Sequence, residues 1–165
     1  MELPSVIIPQ FVSNETFPDQ NSVNSIKEFN QIVNLKDNSD CRIINYSIDW
    51  TFDDSDFPEI EKELNKCLVP FIYRLKLYFY YVDKNFRPFP VVYNSDTPIT
   101  STNILKFIVE IYETPLNSGN LEFYRLYDSD YSYLDETSKL KDVMKYCYFQ
   151  NLEVYKDGFI VNIFD

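Results

Sequence analysis

Asp49, Asp53, Asp54, Asp56 and Glu59 place five carboxylates around Trp50, the only tryptophan of the chain, with Phe52 and Phe57 interleaved. Acids beside large rings suit recognition of a basic protein surface: the ring fills a pocket and excludes water, while the carboxylates steer the partner. Trp50, Phe52, Asp53, Asp54, Asp56 and Phe57 are therefore the candidate partner-binding residues. The competing reading makes Trp50 and Phe52 core residues at a strand end, followed by an acidic first helical turn from Asp53 to Glu59 that favours the positive end of the helix dipole.

Other patterns carry less chemistry. Asp128, Asp130 and Ser132 occupy the first, third and fifth positions of a calcium-like loop. Its sixth position is Tyr133, where a glycine is needed, and its twelfth is Lys139, where a bidentate glutamate should close the shell, so a solvated acidic turn is expected. The run from Asn85 through Pro88 to Pro90 reads as a stiff connector, with docking on an aromatic groove as the second reading. Cys67 and Cys147 fall on apolar helical stripes and are expected to be buried. Cys41, Cys67 and Cys147 are all expected to be inert thiols, since only lysines lie close in sequence to activate them.

Composition excludes whole classes. The chain has no histidine and only two glycines, Gly119 and Gly158, so it holds no histidine triad, histidine metal site, P-loop or dinucleotide fingerprint. Carboxylate pairs remain open as catalytic groups, but among 26 acidic residues no pair stands out. No catalytic residue, metal ligand or cofactor is assigned. A net charge of −11 disfavours direct binding to nucleic acid or anionic membrane. The N-terminal residues lack a leader pattern, no apolar run reaches the roughly 20 residues of a membrane span, and three widely spaced cysteines suit a reducing compartment. An intracellular protein, cytoplasmic or nuclear, is expected.

The elements that would position these residues come from periodicity. With 165 residues the chain suits one core. It contains no alanine and 18% aromatic residues, which favours strands over helices. Residues 1–40 read as a partly ordered segment in which a loop over 13–25 precedes a short helix. That helix opens on a capping box at Ser25 and Glu28 and runs to about Leu35. Residues 41–165 read as the globular domain. Cys41 to Phe52 is expected as a strand, and Ile60, Leu64, Cys67, Leu68 and Phe71 mark a helix ended by Pro70.

Phe71 to Val82 alternates and is read as a strand. Leu105 to Ile111 and Leu121 to Tyr127 read as neighbouring strands, and Leu140 to Cys147 as a short helix. Asp157-Gly158 suits a two-residue hairpin turn with positive φ at the glycine, pairing Val154 with Val161 and Leu152 with Ile163 and burying all four.

The fold class expected is α+β: a single domain with a mainly antiparallel sheet of five to seven strands and two or three short helices. The function expected is a non-catalytic protein-protein interaction module, a subunit or regulator of a larger assembly. With 14 tyrosines and 14 phenylalanines, more rings are present than one small core should bury. Two alternatives stand beside it: an acidic inhibitor imitating nucleic acid in a basic groove, and a histidine-free enzyme using carboxylates.

Overall fold

Leu75, Leu77 and Phe79, alternate residues of the most aromatic stretch of the chain, are each at most 2% exposed and set the inner face of a sheet. The computed structural model describes residues 18–33, 41–42, 49–50, 62–82, 85–144 and 148–164. In chain order the elements are α1 (Gln20–Val33), β1 (Cys41–Arg42), β2 (Asp49–Trp50), β3 (Arg74–Phe79), β4 (Phe89–Asn94), α2 (Ser101–Tyr112), α3 (Ser118–Tyr127), a 3-10 helix (Ser129–Tyr133), α4 (Leu140–Val143), β5 (Tyr148–Tyr155) and β6 (Gly158–Phe164).

Four strands form a sheet in the order β4-β3-β6-β5. β3 runs antiparallel to β4, and β5 to β6, while β3 and β6 are parallel. The fold is an α+β single domain with a mostly antiparallel sheet. Among the described residues this sheet has four strands where five to seven were expected, because two of the segments read as strands are helices and Cys41 to Trp50 supplies a separate two-stranded pair. Pro90 sits on the edge strand β4, where a missing N–H breaks no inner ladder bond.

Leu77 faces Phe159 in register, and Ile163 faces Phe149, so these side chains share one face of the sheet. Helices cover that face. Phe29 of α1 meets Phe149 edge-on at 6.1 Å, and Phe107 and Tyr112 of α2 pack edge-on against Phe79 at 6.3 and 5.6 Å. The hydroxyl of Tyr124 in α3 donates to the carbonyl of Tyr81 at 2.8 Å, which ties that helix to the end of β3.

Several expectations are corrected. α1 begins at Gln20, within the stretch read as a loop, because Asp19 is its cap: the Asp19 carboxylate accepts from the Ser22 amide at 2.7 Å. Ser25 is buried mid-helix and donates instead to the Pro70 carbonyl at 2.6 Å. The strand expected over Cys41 to Phe52 is instead two short strands, with Cys41 opposite Trp50 and Arg42 opposite Asp49. The helix expected to reach Pro70 is a single turn over 62–64 within the described residues, and Cys67 lies beyond it in a bridge to Thr100. Cys67 is accordingly partly exposed, contrary to the stripe reading; Cys147 lies outside the described residues.

Residues 101–112 and 118–127 are helices, not strands. In each, a reciprocal cap outweighs β-propensity: Thr100 with Asn103, and Asn117 with Asn120, exchange side-chain and backbone bonds. Asparagine stands at the third position where glutamate or glutamine is usual, which hid both starts. Ile104, Leu105, Ile108 and Tyr112 then fall on one buried helical stripe.

The hairpin forms with its register moved by one residue on each strand. Tyr155 faces Gly158, Val154 faces Phe159 and Leu152 faces Val161, so the turn residues are Lys156 and Asp157, and Lys156 takes the positive φ of 49°. Leu152, Val161 and Ile163 are buried together, whereas Val154 is 56% exposed. Among the described residues, no helix is long and apolar enough to cross a membrane.

Candidate partner-binding site

A groove of about 440 Å³ opens between the start of α1 and the residues leading into β3. Strand register creates it. β6 begins at Gly158 and meets β3 only at Leu77 and Tyr78, so residues 71–76 run past the start of β6, and the hairpin turn closes the groove floor. The far wall is α1, held in place by Ser25 on Pro70 and by the Glu28 carboxylate, which accepts from the Val69 amide at 2.6 Å. Pro18, Asp19, Asn21 and Ser22, at the start of that helix, line the groove.

The near wall, residues 71–76, carries two exposed rings beside Arg74. The carbonyls of Ile72 and Tyr73 accept from the Ile99 and Ser95 amides, each at 2.9 Å, which fixes the main chain there. Ile72 is buried, while Phe71 on one side of it is 59% exposed and Tyr73 on the other is 48% exposed. Val69 stands out further along the same stretch.

The floor is polar and internally satisfied. Asp157 accepts one hydrogen bond from the Lys76 ammonium and one from the Tyr78 hydroxyl, and the Lys76 and Asp157 side chains are only 9% and 14% exposed. Burial pushes the Asp157 carboxyl up, but the bonds from Lys76 and Tyr78 and the Lys76 charge more than reverse it, leaving it below the usual carboxylate range. Burial first, then the bond to Asp157 and its charge, raise the Tyr78 phenol well above its ordinary value. The Tyr155 ring packs edge-on against Tyr78 at 4.9 Å. Asp157 is thus ionised with both oxygens engaged, and Tyr78 is protonated. This trio holds a shape; neither group is poised to move a proton near neutral pH.

The residues singled out from sequence stand elsewhere. Trp50 lies in β2 with its backbone opposite Cys41. Its side chain, and all of Phe52, Asp53, Asp54, Asp56 and Phe57, lie outside the described residues. At the calcium-like run, Asp128 caps the 3-10 helix by accepting from the Asp130 amide at 2.9 Å. Among the described residues no group of three potential metal ligands converges. Of the proline-rich connector, Pro88 and Phe89 are buried, and Phe89 stacks on Phe79 at 5.8 Å as the first residue of β4.

The aromatic excess goes mainly inward. Rings of Phe79, Tyr81, Phe86, Phe89, Phe123 and Tyr124 form one connected network of edge and stacked contacts. Among the described aromatic residues, the exposed ones are Phe71, Tyr73 and Tyr133. Phe71 and Tyr73 belong to the alternating segment read as a strand, but β3 begins only at Arg74 and they lie before it. Comparison of the chain with protein-family models, with curated proteins and with solved structures finds no match.

Proposed function

We propose that the chain is a non-catalytic protein-protein interaction module, a subunit or regulator of a larger assembly, whose partner docks at the groove beside Phe71 and Tyr73. The observation that carries the reading is the exposure of those two rings on a main chain fixed by hydrogen bonds, over a polar floor that is already satisfied. Ordered aromatic side chains at a concave surface bind at low entropic cost, and tyrosine is enriched at hot spots. The acidic aromatic segment from Trp50 to Phe57 is a second contact region, suited to a basic surface of the partner and supported by composition alone.

Affinity capture with four baits tests the proposal: wild type, Phe71→Ser with Tyr73→Ser, Trp50→Ala, and Leu126→Ser as a control at another exposed apolar residue. A partner retained by wild type and control, and lost from the Phe71/Tyr73 variant at unchanged thermal stability, supports the groove. The same set of partners on all four baits overturns it.

A further inference from the structure

We infer that the chain's own apolar run at residues 6–12 occupies the groove until a partner displaces it, which makes that run a built-in competitor for the docking site. The inference rests on the interaction reading above and adds regulation to the same site. Position argues for this segment. Pro18 and Asp19, the first described residues, line the groove, so residues 1–17 join the described chain at its edge. From Val12 to Pro18 the chain reaches up to about 20 Å, against about 17 Å for the wall from residue 71 to residue 76. The run therefore has the length to meet both Phe71 and Tyr73.

Chemistry argues the same way. The lining carries two acids, Asp19 and Asp157, against two bases, Arg74 and Lys76. Each is already engaged: Asp19 accepts from the Ser22 amide, Asp157 pairs with Lys76, and Arg74 is held within the protein. What such a seat offers a ligand is the open rings of Phe71 and Tyr73. An entering charge would lose water without gaining a partner, so the occupant that fits is apolar and uncharged. Residues 3–14 are the longest stretch of the chain without a charged residue, and they hold Val6, Ile7, Ile8, Phe11 and Val12. A short tether also supplies an effective concentration in the millimolar range, so even a weak apolar seat stays mostly filled.

Photo-crosslinking on the full chain provides the test, with p-benzoylphenylalanine in place of Tyr73 and isotopically light and heavy chains mixed to tell intrachain from interchain products. Irradiation should join position 73 to residues 3–14 of the same chain. Ile7→Asp with Phe11→Asp puts two charges into the run and should cut that product at least about tenfold. A labelled peptide copying residues 3–14, followed by fluorescence anisotropy, should bind this variant at least about tenfold more tightly than wild type, because the groove is then vacant. Adding Phe71→Ser with Tyr73→Ser should abolish the peptide's binding. No product with residues 3–14, products between two chains only, a product undiminished by the two aspartates, or equal peptide affinity for wild type and variant overturns the inference. In affinity capture, the Ile7/Phe11 variant should retain more partner than wild type. A partner that depends on Phe71 and Tyr73 but is captured equally by wild type and the Ile7/Phe11 variant overturns this inference alone and leaves the interaction reading standing. Capture indifferent to Phe71 and Tyr73 overturns both, since no docking site is then left to regulate.

Discussion

Gly158 lies against the main chain of Lys76: a Cβ on the glycine would fall inside van der Waals contact of the Lys76 carbonyl oxygen and 3.1 Å from its carbonyl carbon. The residue was expected to be glycine for a positive φ in the turn, but the positive φ belongs to Lys156 and none belongs to a described glycine. Close approach of parallel strands β3 and β6 is the reason instead. Gly158→Ala should therefore destabilise the fold by about 1–3 kcal/mol, the range for forcing extra atoms into a packed site. Gly158→Val should cost more. An unchanged urea midpoint for Gly158→Ala would show that the strands can separate freely.

Asp157 links the hairpin turn to β3 by accepting hydrogen bonds from the nearly buried Lys76 ammonium and the Tyr78 hydroxyl. Asp157→Asn should cost about 2–3 kcal/mol at neutral pH, the range for a hydrogen bond to a charged group. Folding lowers the carboxyl pKa, so this contribution is complete above the ordinary value of about 4 and is lost as pH falls through the lower folded value. Folding raises the phenol pKa, so the Tyr78 contribution is complete below about 10 and is lost as pH rises beyond it. Denaturant titrations should show the gap between wild type and Asp157→Asn closing in acid, and the gap to Tyr78→Phe closing in alkali. Gaps that stay constant across pH would contradict the linkage.

Thr100 and Asn103 exchange hydrogen bonds at 3.0 and 3.1 Å at the start of α2. Thr100→Ala should lower stability by about 1 kcal/mol, the usual loss for a helix cap. Asn103→Glu restores the more common partner and should be nearly neutral. A midpoint unmoved by Thr100→Ala would mean that packing of Ile104, Leu105 and Ile108 sets the helix start unaided.

Cys67 is a free thiol, partly exposed beside Thr100 and 4.0 Å from the Pro98 carbonyl. A maleimide should label it in the folded protein faster than global unfolding allows, as read by mass spectrometry of the Cys67 peptide. Labelling that appears only in denaturant would restore the buried stripe that the sequence suggested.

Local pattern reached the features that depend on neighbouring residues. Alternation through Leu75, Leu77 and Phe79 made that segment a strand, and Asp157-Gly158 between apolar runs placed the final hairpin to within one residue. An α+β domain followed from those signals. Alternation made Leu105 to Ile111 and Leu121 to Tyr127 read as strands, which they are not, because an apolar run such as Ile104 to Ile111 satisfies both periods at once. There the caps at Thr100 and Asn117, and burial beneath Phe79 and Tyr81, made the choice. The groove was the least legible feature. Phe71 and Tyr73 carry the same alternation as Leu75, Leu77 and Phe79, yet they lie before the start of β3 and stay open while Leu75, Leu77 and Phe79 are buried. Where the strand begins, and which of its alternate residues are covered, is set by packing against distant segments that no local stretch of sequence contains.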